Sequence, residues 1–229
     1  SLLAKIKSPI SNKIDDASII VTVPSGNFGN LTSGLIAKKM GAPITGFVAA
    51  TNSNRTIPDW IATGKYEARP SVETFANAMD VGAPSNYERI KAMYSLEDVR
   101  DLFASYWLDN DGITKAIQDC YSKTGYIIDP HGSIAWKAWS DIRNGQLESL
   151  IKGNKNDFTK PGLTPNVPKW ADDVINKKAI GIILETADPA KFGSIVKDSI
   201  GRDPIIPERL QKIMKLPDMA IPMENDYNT

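Results

Sequence analysis

The sequence predicts an α/β fold in which helices flank a mostly parallel sheet. Three short, unbroken apolar segments, 17–23, 44–50 and 179–184, have the length and composition of buried parallel strands. Each is followed by a turn-rich loop and then by a segment whose apolar residues have helical spacing. Strands that alternate with helices favour right-handed β-α-β crossovers, which place parallel strands side by side.

Start and stop signals mark the helices in the first half of the chain. The segment 28–40 is expected to end at Gly41, which suits the residue after a helix C-terminus. Thr56 is the predicted N-cap of a short second helix. Ser95, with an aspartate three residues later, predicts a capping box and a helix that extends to about residue 107. The residues of 28–40 predicted to face the core are Leu31, Leu35, Ile36 and Met40.

The second half continues the alternation. A helix is predicted over 109–123 and a short strand over 126–128. Asp129-Pro130 and Asp188-Pro189 each combine an N-cap residue with proline at the first helical position. They predict helices over 131–143 and from Asp188 to about residue 199. The segments predicted to be mostly irregular are 64–86, 152–168 and the tail from residue 203, which is expected to cover the surface.

Composition excludes several classes of function. The 27 Lys and Arg residues balance 27 Asp and Glu, so nothing electrostatic favours a nucleic acid or an anionic membrane as partner. Cys120 is the only cysteine, so no internal disulfide can form. His131 is the only histidine, which argues against a structural metal site and leaves it as the only base for a Ser-His-Asp triad. Without a long apolar run or a signal-peptide pattern, the 229 residues predict a cytoplasmic protein with no membrane span.

The ends of the sequence predict a fragment. There is no initiator methionine, and Leu2, Leu3 and Ile6 are spaced like the end of a helix already under way. The last residues, 224–229, are polar and carry no stop signal. A processed mature chain, or an added segment before a natural start, would give the same pattern.

The 25–30 loop, between the first strand and the first helix, is a candidate anion site. Gly26 and Gly29 allow positive φ and close approach of a ligand to the backbone. The helix start supplies free N–H groups and the positive end of the helix dipole, which suit phosphate. The loop matches neither GxGxxG nor the Walker A pattern, and a tight glycine turn without a ligand is the alternative. Ligands of such sheets bind beyond the strand ends, here at the loops 25–30, 51–54 and 186–188.

The residues of this loop closely resemble a known family. Ser25-Gly26-Asn27-Phe28-Gly29-Asn30 is similar to the cofactor-phosphate loop of threonine synthase, a fold type II pyridoxal phosphate (PLP) enzyme of the longer, bacterial and fungal type. Further similar motifs follow in the same order, so the resemblance covers about residues 25–192. They are Phe47-Val48-Ala49-Ala50-Thr51-Asn52, Asn77-Ala78-Met79-Asp80-Val81-Gly82-Ala83-Pro84-Ser85-Asn86, Asp129-Pro130-His131-Gly132 and Glu185-Thr186-Ala187-Asp188-Pro189-Ala190-Lys191-Phe192.

The resemblance implies the reaction and the cofactor. Threonine synthases convert O-phosphohomoserine and water into threonine and inorganic phosphate, with PLP as the electron sink. The family's lysine that forms a Schiff base with PLP lies well before the glycine loop, and this loop begins at residue 25. Residues 1–229 are therefore expected to be the C-terminal, PLP-binding part of the enzyme, inactive alone and with no catalytic residue of their own.

The resemblance also assigns site residues. Ser25, Gly26, Asn27, Phe28, Gly29 and Asn30 are expected to bind the cofactor phosphate, although Phe28 is alternatively the first core residue of the helix. Thr186 is expected to face the pyridine nitrogen of PLP, or else to help cap the next helix. The family usually has histidine where this chain has Asp188, which limits position 188 to a capping role.

A second anion site is needed for the substrate phosphate. Ser85, Asn86 and Arg89 combine short polar donors with a guanidinium group and are the candidates, with loop packing and a solvated arginine as the alternative. His131 is either a residue of the first helical turn or a group that acts in the chemistry. Cys120 is expected to be an inert residue of the core.

Two other functions remain open beside a threonine synthase. One is a stand-alone phosphate- or PLP-binding module without catalysis. The other is a different fold type II lyase, such as a dehydratase, against which the Asn-Phe-Gly loop and the Pro-Ser-Asn motif argue. Because the two halves of such enzymes enclose the cofactor, we expect this chain to have apolar surface near the strand ends, and either to self-associate through that surface or to expose it to solvent.

Overall fold

A parallel sheet forms the centre of the protein. The computed structural model describes residues 17–153, 157–217, 219 and 221. The strands are β1 (Ser18–Pro24), β2 (Gly46–Thr51), β3 (Phe103–Trp107), β4 (Gly162–Leu163) and β5 (Ala179–Ile183). Their order is β4-β3-β2-β1-β5, with β4 antiparallel to β3 and every other pair parallel. The predicted α/β class with a mostly parallel sheet is confirmed.

Helices alternate with the strands along the chain. They are α1 (Gly29–Lys39), α2 (Thr56–Thr63), α3 (Asn86–Met93), α4 (Leu96–Leu102), α5 (Asn110–Thr124), α6 (Pro130–Asp141), α7 (Leu147–Ile151), α8 (Ala171–Ile175), α9 (Gly193–Ile200) and α10 (Glu208–Ile213). Single 3-10 turns cover Asn77–Met79 and Pro189–Phe192. The sequence predicts none of α3, α7, α8 and α10. None of the described helices combines the length and apolarity that crossing a bilayer requires.

Both faces of the sheet are covered by helices. On one face Ile20 of β1 belongs to an apolar cluster with residues of α5 and α6, among them Ile117 and Cys120. On the other face Val23 belongs to a second cluster with Leu31 and Leu35 of α1 and with residues of α2 and α3. A strand that is buried on both faces has no polar side, which explains the unbroken apolar runs. Cys120 is buried, as expected of a core residue.

The helix predicted to reach residue 107 is wrong in its second half. Ser95 caps α4 through the predicted capping box, but the helix stops at Leu102. The following five residues are all buried and pair with β2 as the strand β3. Conversely, the predicted strand 126–128 is irregular. Short apolar runs do not distinguish strand from buried helix, and pairing with a neighbour decided both cases.

The first two helices also need correction. Leu31 and Leu35 are buried, but Ile36 and Met40 are 45% and 82% exposed, so the buried stripe of α1 is narrower than predicted. Gly41 follows the helix with φ 94°, as expected. Thr56 is not an N-cap: α2 begins with it, and its hydroxyl donates to Gly82 O at 2.8 Å.

Three further expectations have mixed outcomes. β5 lies where it was predicted, but it is an edge strand, so it is half exposed rather than buried. The irregular segment 152–168 contains the short strand β4, and the tail from 203 contains α10, a helix without buried residues. The predictions for residues 2, 3 and 6 and for 224–229 lie outside the described residues.

Candidate functional site

The carboxyl ends of three parallel strands meet at one edge of the sheet. Ser25, directly after β1, donates its backbone N–H to Ala50 O of β2 at 2.8 Å. On the other side of β1, Leu184 N donates to Thr22 O at 3.0 Å, and Thr186 follows two residues later. The structure therefore brings the loops 25–30, 51–54 and 186–188 to the same edge, as the sequence predicts.

The backbone of the 25–30 loop is strained at Phe28. Phe28 has φ 62° and ψ 19°, a left-handed conformation that is rare for a bulky residue, and its side chain is 2% exposed. A left-handed residue followed by a helical one directs successive N–H groups into one concavity, which suits an anion. Phe28 is thus both a core residue and the residue that shapes the loop.

The start of α1 has no side-chain cap among the described residues. Phe28, at the N-cap position, makes no side-chain cap hydrogen bond, and the first turn contains no acidic residue. The first helical hydrogen bond runs from Thr32 N to Phe28 O at 2.9 Å. The N–H groups of Gly29, Asn30 and Leu31 precede that bond and have no intrahelical acceptor. The helix start can therefore bind an anion.

The two glycines of the loop serve different purposes. A Cβ atom on Gly26 would lie 2.5 Å from the Cα atom of Met79, so this glycine lets the loop pack against the turn at Asn77–Met79. Among the described residues, a Cβ atom on Gly29 would meet one atom within 4 Å, the Asn86 Nδ2 at 3.9 Å. Within that part of the chain the space beside Gly29 is otherwise unfilled, next to the N–H groups at the start of α1.

The predicted substrate residues lie next to this loop and are tied to it. Asn27 Oδ1 accepts from the backbone N–H of Ser85 at 2.7 Å and from the Ser85 hydroxyl at 3.1 Å. Asn86 Nδ2 donates to Asn27 O at 2.8 Å, and Arg89 donates to Asn86 Oδ1 at 3.3 Å. All of these contacts are at the surface, so Arg89 keeps most of its donors for a ligand.

A polar network behind the loop was missed by sequence reasoning. Asp80 Oδ1 accepts from Asn52 Nδ2 at 2.7 Å, Asn54 Nδ2 at 3.1 Å and Thr74 Oγ1 at 2.7 Å, and its Oδ2 accepts from Thr74 N at 2.9 Å. It thereby joins the end of β2 to the segment that supports Gly26. The signal in the sequence is the pair of asparagines directly after a buried strand.

The only histidine lies in a second polar cluster. His131 is 2% exposed, and its Nε2 accepts the backbone N–H of Ala78 at 3.2 Å. Because an N–H can only donate, Nε2 is unprotonated and Nδ1 carries the hydrogen that faces Asp129 Oδ1 at 2.6 Å. Asp129 also caps α6, as predicted, through the N–H groups of His131 and Gly132. Within this structure His131 connects two loops.

Glu185 joins the same cluster through its carboxyl group. Burial of that carboxyl and its hydrogen bond with Asp129 raise the pKa of Glu185 to about 9. Burial opposes ionisation of Asp129 as well, but hydrogen bonds from His131 and Glu185 hold the pKa of Asp129 below its ordinary value. No role is assigned to Glu185 from the sequence alone, because no feature of the neighbouring sequence shows that this carboxyl group is protonated in the folded protein.

The segment after β5 contains the two remaining candidates. Thr186 is exposed at the strand edge, where a ligand can reach its hydroxyl. Asp188 Oδ1 accepts from Ala190 N at 2.9 Å and caps the 3-10 turn at Pro189–Phe192, as predicted. Since Asp188 already caps that turn, Thr186 is not needed for capping.

Comparison with known proteins gives consistent matches. The family model described as "Threonine synthase, C-terminal" matches residues 169–229. The threonine synthase of Haemophilus influenzae is 34% identical over 212 residues, which are 92% of this chain and 42% of that protein. The chain thus spans about two fifths of the length of the curated relatives it matches.

Solved structures agree with the sequence comparison. The Escherichia coli threonine synthase superposes with a TM-score of 0.67 at 29% identity, over 89% of this chain and 40% of that one. A PLP-bound threonine synthase from Brucella melitensis superposes with a TM-score of 0.66 at 26% identity, over 95% of this chain and 44% of that one.

The parallel sheet, with a glycine loop and an uncapped helix at its carboxyl edge, has the fold of the larger domain of fold type II PLP enzymes. Within that class the chain is similar to threonine synthases over 92% of its length in sequence and 89% in structure. The chain corresponds to a C-terminal portion of the threonine synthases that it matches.

Proposed function

We propose that this chain is the cofactor-phosphate-binding part of a threonine synthase, the PLP-dependent lyase that converts O-phosphohomoserine and water into threonine and inorganic phosphate. The observation that carries the proposal is the uncapped start of α1 behind Phe28, with open space above Gly29. That arrangement supports phosphate binding through backbone N–H groups. Residues 1–229 would then be one functional part of a longer enzyme.

The residues present fit PLP at this edge. The N–H groups of the 25–30 loop would hold the cofactor phosphate, with Ser25, Gly26, Asn27, Phe28, Gly29 and Asn30 as the binding residues. Thr186, exposed at the end of the neighbouring strand, would face the ring nitrogen. When bound, PLP supplies an electron sink for the carbanions of the reaction. The catalytic lysine would come from the part of the relatives' length that this chain does not span.

The substrate phosphate would lie beside the cofactor phosphate. Ser85 and Asn86 are hydrogen-bonded to Asn27, and Arg89 is hydrogen-bonded to Asn86, so a single surface would bind both groups. The Arg89 guanidinium is exposed and can pair with a phosphate dianion through two parallel N–H donors. We propose a cytoplasmic location and no nucleic acid partner, which the single buried cysteine and the zero net charge support.

Titration with inorganic phosphate tests the binding site. We expect the amide resonances of Gly29 and Asn30 to shift with a saturable dependence on phosphate concentration. The start of α5 is an internal control, because the Asp109 side chain already accepts from Gly112 N at 2.8 Å and Asp111 lies in the same first turn, so carboxyl groups already occupy that helix start. Uniform small shifts at both helix starts, without saturation, would refute a specific phosphate site in the 25–30 loop.

Turnover distinguishes the two candidate functions. The 229-residue chain alone is expected to release no phosphate from O-phosphohomoserine, and the protein from its whole reading frame is expected to do so. Phosphate release by the chain alone would contradict the proposal that the catalytic lysine lies elsewhere. Phosphate binding without turnover in either protein would instead favour a stand-alone module.

We further propose that the chain self-associates through the outer face of β5. Ile180 and Ile182 are 37% and 42% exposed, and they pair in register with Ile19 and Val21 on the same face of β1. Among the described strands β5 is at the edge of the sheet, and such an apolar edge is suited to a second copy of the chain.

Light scattering checks this association. The wild-type chain is expected to show a mass above that of a monomer, and Ile182→Lys is expected to shift it toward the monomer, because a charged side chain on an edge strand opposes pairing. Ile205→Lys is the matched control, since Ile205 is 86% exposed and lies away from the sheet. A monodisperse wild-type monomer would overturn the proposal.

A further inference from the structure

One buried cluster connects three of the segments that surround the candidate site. The segments are the start of α6 with Asp129 and His131, the turn at Asn77–Met79, and the residues after β5 with Glu185. They are distant in sequence: the turn at Asn77–Met79 packs against Gly26 of the 25–30 loop, the segment after β5 carries Thr186, and His131 of α6 bonds to that turn. The cluster therefore determines how the parts of the site are arranged relative to one another.

Asp129 is the centre of this cluster. It is fully buried, and it accepts from His131 N at 2.8 Å, His131 Nδ1 at 2.6 Å and Gly132 N at 3.2 Å. The Glu185 carboxyl lies over Gly132, where a Cβ atom would come within 2.5 Å of Oε2, and Gly132 N itself donates to Asp129. The two carboxyl groups are therefore neighbours, and burial together with a hydrogen bond to Asp129 raises the pKa of Glu185. Two carboxyl groups share a hydrogen bond only when one is protonated. Asp129 has the N–H donors, so it is the carboxylate and Glu185 is the acid.

His131 extends the cluster to the glycine loop. Its Nε2 accepts from Ala78 N, and the next residue, Met79, lies directly behind Gly26. The ring of Phe192 packs edge-on against His131 with centroids 4.8 Å apart, which restrains the imidazole. A continuous series of contacts thus leads from Glu185, the neighbour of Thr186, to the backbone that supports the 25–30 loop.

We propose that Glu185 is a positioning residue, whose carboxylic acid donates to Asp129 and thereby fixes Thr186 relative to the 25–30 loop. The proposal rests on the proposed function, in which Thr186 faces the ring of the cofactor held by that loop. The Glu185 residue as a whole is exposed, but its carboxyl group points inward onto the buried Gly132. Because residue 132 is glycine, no Cβ atom prevents the Glu185 carboxyl from lying next to Asp129.

The pairing gives a defined pH dependence. Besides Asp129, the charged and titratable groups near Glu185 are Asp188, Cys120 of α5, Tyr126 and, through Asp129, His131. Because its pKa is raised from 4.5 to about 9 on folding, the native state holds a proton that the unfolded chain releases near pH 4.5. The contribution of the protonated Glu185 to the free energy of unfolding is therefore complete below pH 4.5 and is lost as the pH rises toward 9.

The experiment compares Glu185→Gln, Glu185→Ala and the surface control Glu67→Gln in the 229-residue chain. The glutamine side chain keeps a neutral donor toward Asp129, so we expect the Glu185→Gln variant to keep the wild-type structure. Because glutamine does not titrate, we expect this variant to lack the decline of the unfolding midpoint that Glu185 causes between pH 5 and pH 9. Alanine is expected to lower the midpoint and to accelerate hydrogen exchange at the Ala78 amide. Glu67, which is exposed, should leave the pH profile unchanged on substitution.

Ligand binding provides the positioning readout. For Glu185→Ala we expect the affinity for free PLP to fall about tenfold, the equivalent of roughly one hydrogen bond, with the affinity for inorganic phosphate nearly unchanged. Equal losses for both ligands, or an alanine variant that binds PLP like the glutamine variant, would overturn the proposal. If the wild-type chain bound neither ligand, the proposed function would fail, whereas the pH profile of Glu185→Gln would still test the pairing with Asp129.

Discussion

Replacing Gly26 with alanine is expected to abolish phosphate binding by the 25–30 loop and to destabilise the chain. The added Cβ would lie 2.5 Å from Met79 Cα and 3.0 Å from its carbonyl carbon, and these are backbone atoms that cannot rotate away. Such overpacking costs about 1–3 kcal/mol of the free energy of unfolding. Because the loop must move to relieve it, the free N–H groups of α1 lose their common orientation, and we expect phosphate affinity to fall at least about tenfold.

Denaturant unfolding and phosphate titration measure the two effects. Gly193→Ala is the matched control: Gly193 begins α9, and its Cβ would meet only Pro204 Cγ at 4.0 Å. Alanine is a better helix former than glycine, so this variant should be as stable as the wild type or slightly more so. A Gly26→Ala protein with wild-type stability and phosphate affinity would show that the close approach to Met79 does not shape the loop.

Asp80→Ala is expected to produce the largest loss of stability among polar substitutions near the site. Its carboxylate accepts four hydrogen bonds from Asn52, Asn54 and Thr74, three residues that are almost completely buried. Removal of the carboxylate leaves the N–H and the hydroxyl of the buried Thr74 without their acceptor, whereas Asn52 Nδ2 keeps Ala76 O and Asn54 Nδ2 keeps Val72 O. The expected cost is about 3 kcal/mol in the free energy of unfolding. The turn behind Gly26 should loosen at the same time.

Chemical denaturation and hydrogen exchange at the Met79 and Asp80 amides check this result. Asp203→Ala removes a comparable carboxylate whose partner, Lys197, is at 3.0 Å on the exposed surface. A surface pair of this kind contributes less than about 1 kcal/mol, so the control should change little. Equal effects of the two substitutions would mean that the network around Asp80 is not a specific support of the site.

The sequence alone was sufficient for features that depend on neighbouring residues. The strands β1 and β2, the caps at Ser95, Asp129 and Asp188, and the 25–30 loop were all predicted near their observed positions. Their signals are local, because strand composition, capping and glycine turns act over a few residues. The candidate anion site is one of these features, since a strand, a glycine loop and a helix start follow each other directly along the chain.

Tertiary structure decided the features that depend on distant partners. Phe103–Trp107 became a strand through pairing with β2, although its spacing was compatible with the preceding helix. The exposure of Ile182 followed from the position of β5 at the sheet edge. Asp80 and Glu185 acquired their roles only when Asn52 and Asp129 were brought next to them. The physical reason is that strand pairing, burial and shared protons are properties of groups in contact, and contacts between remote segments leave no local pattern in the sequence.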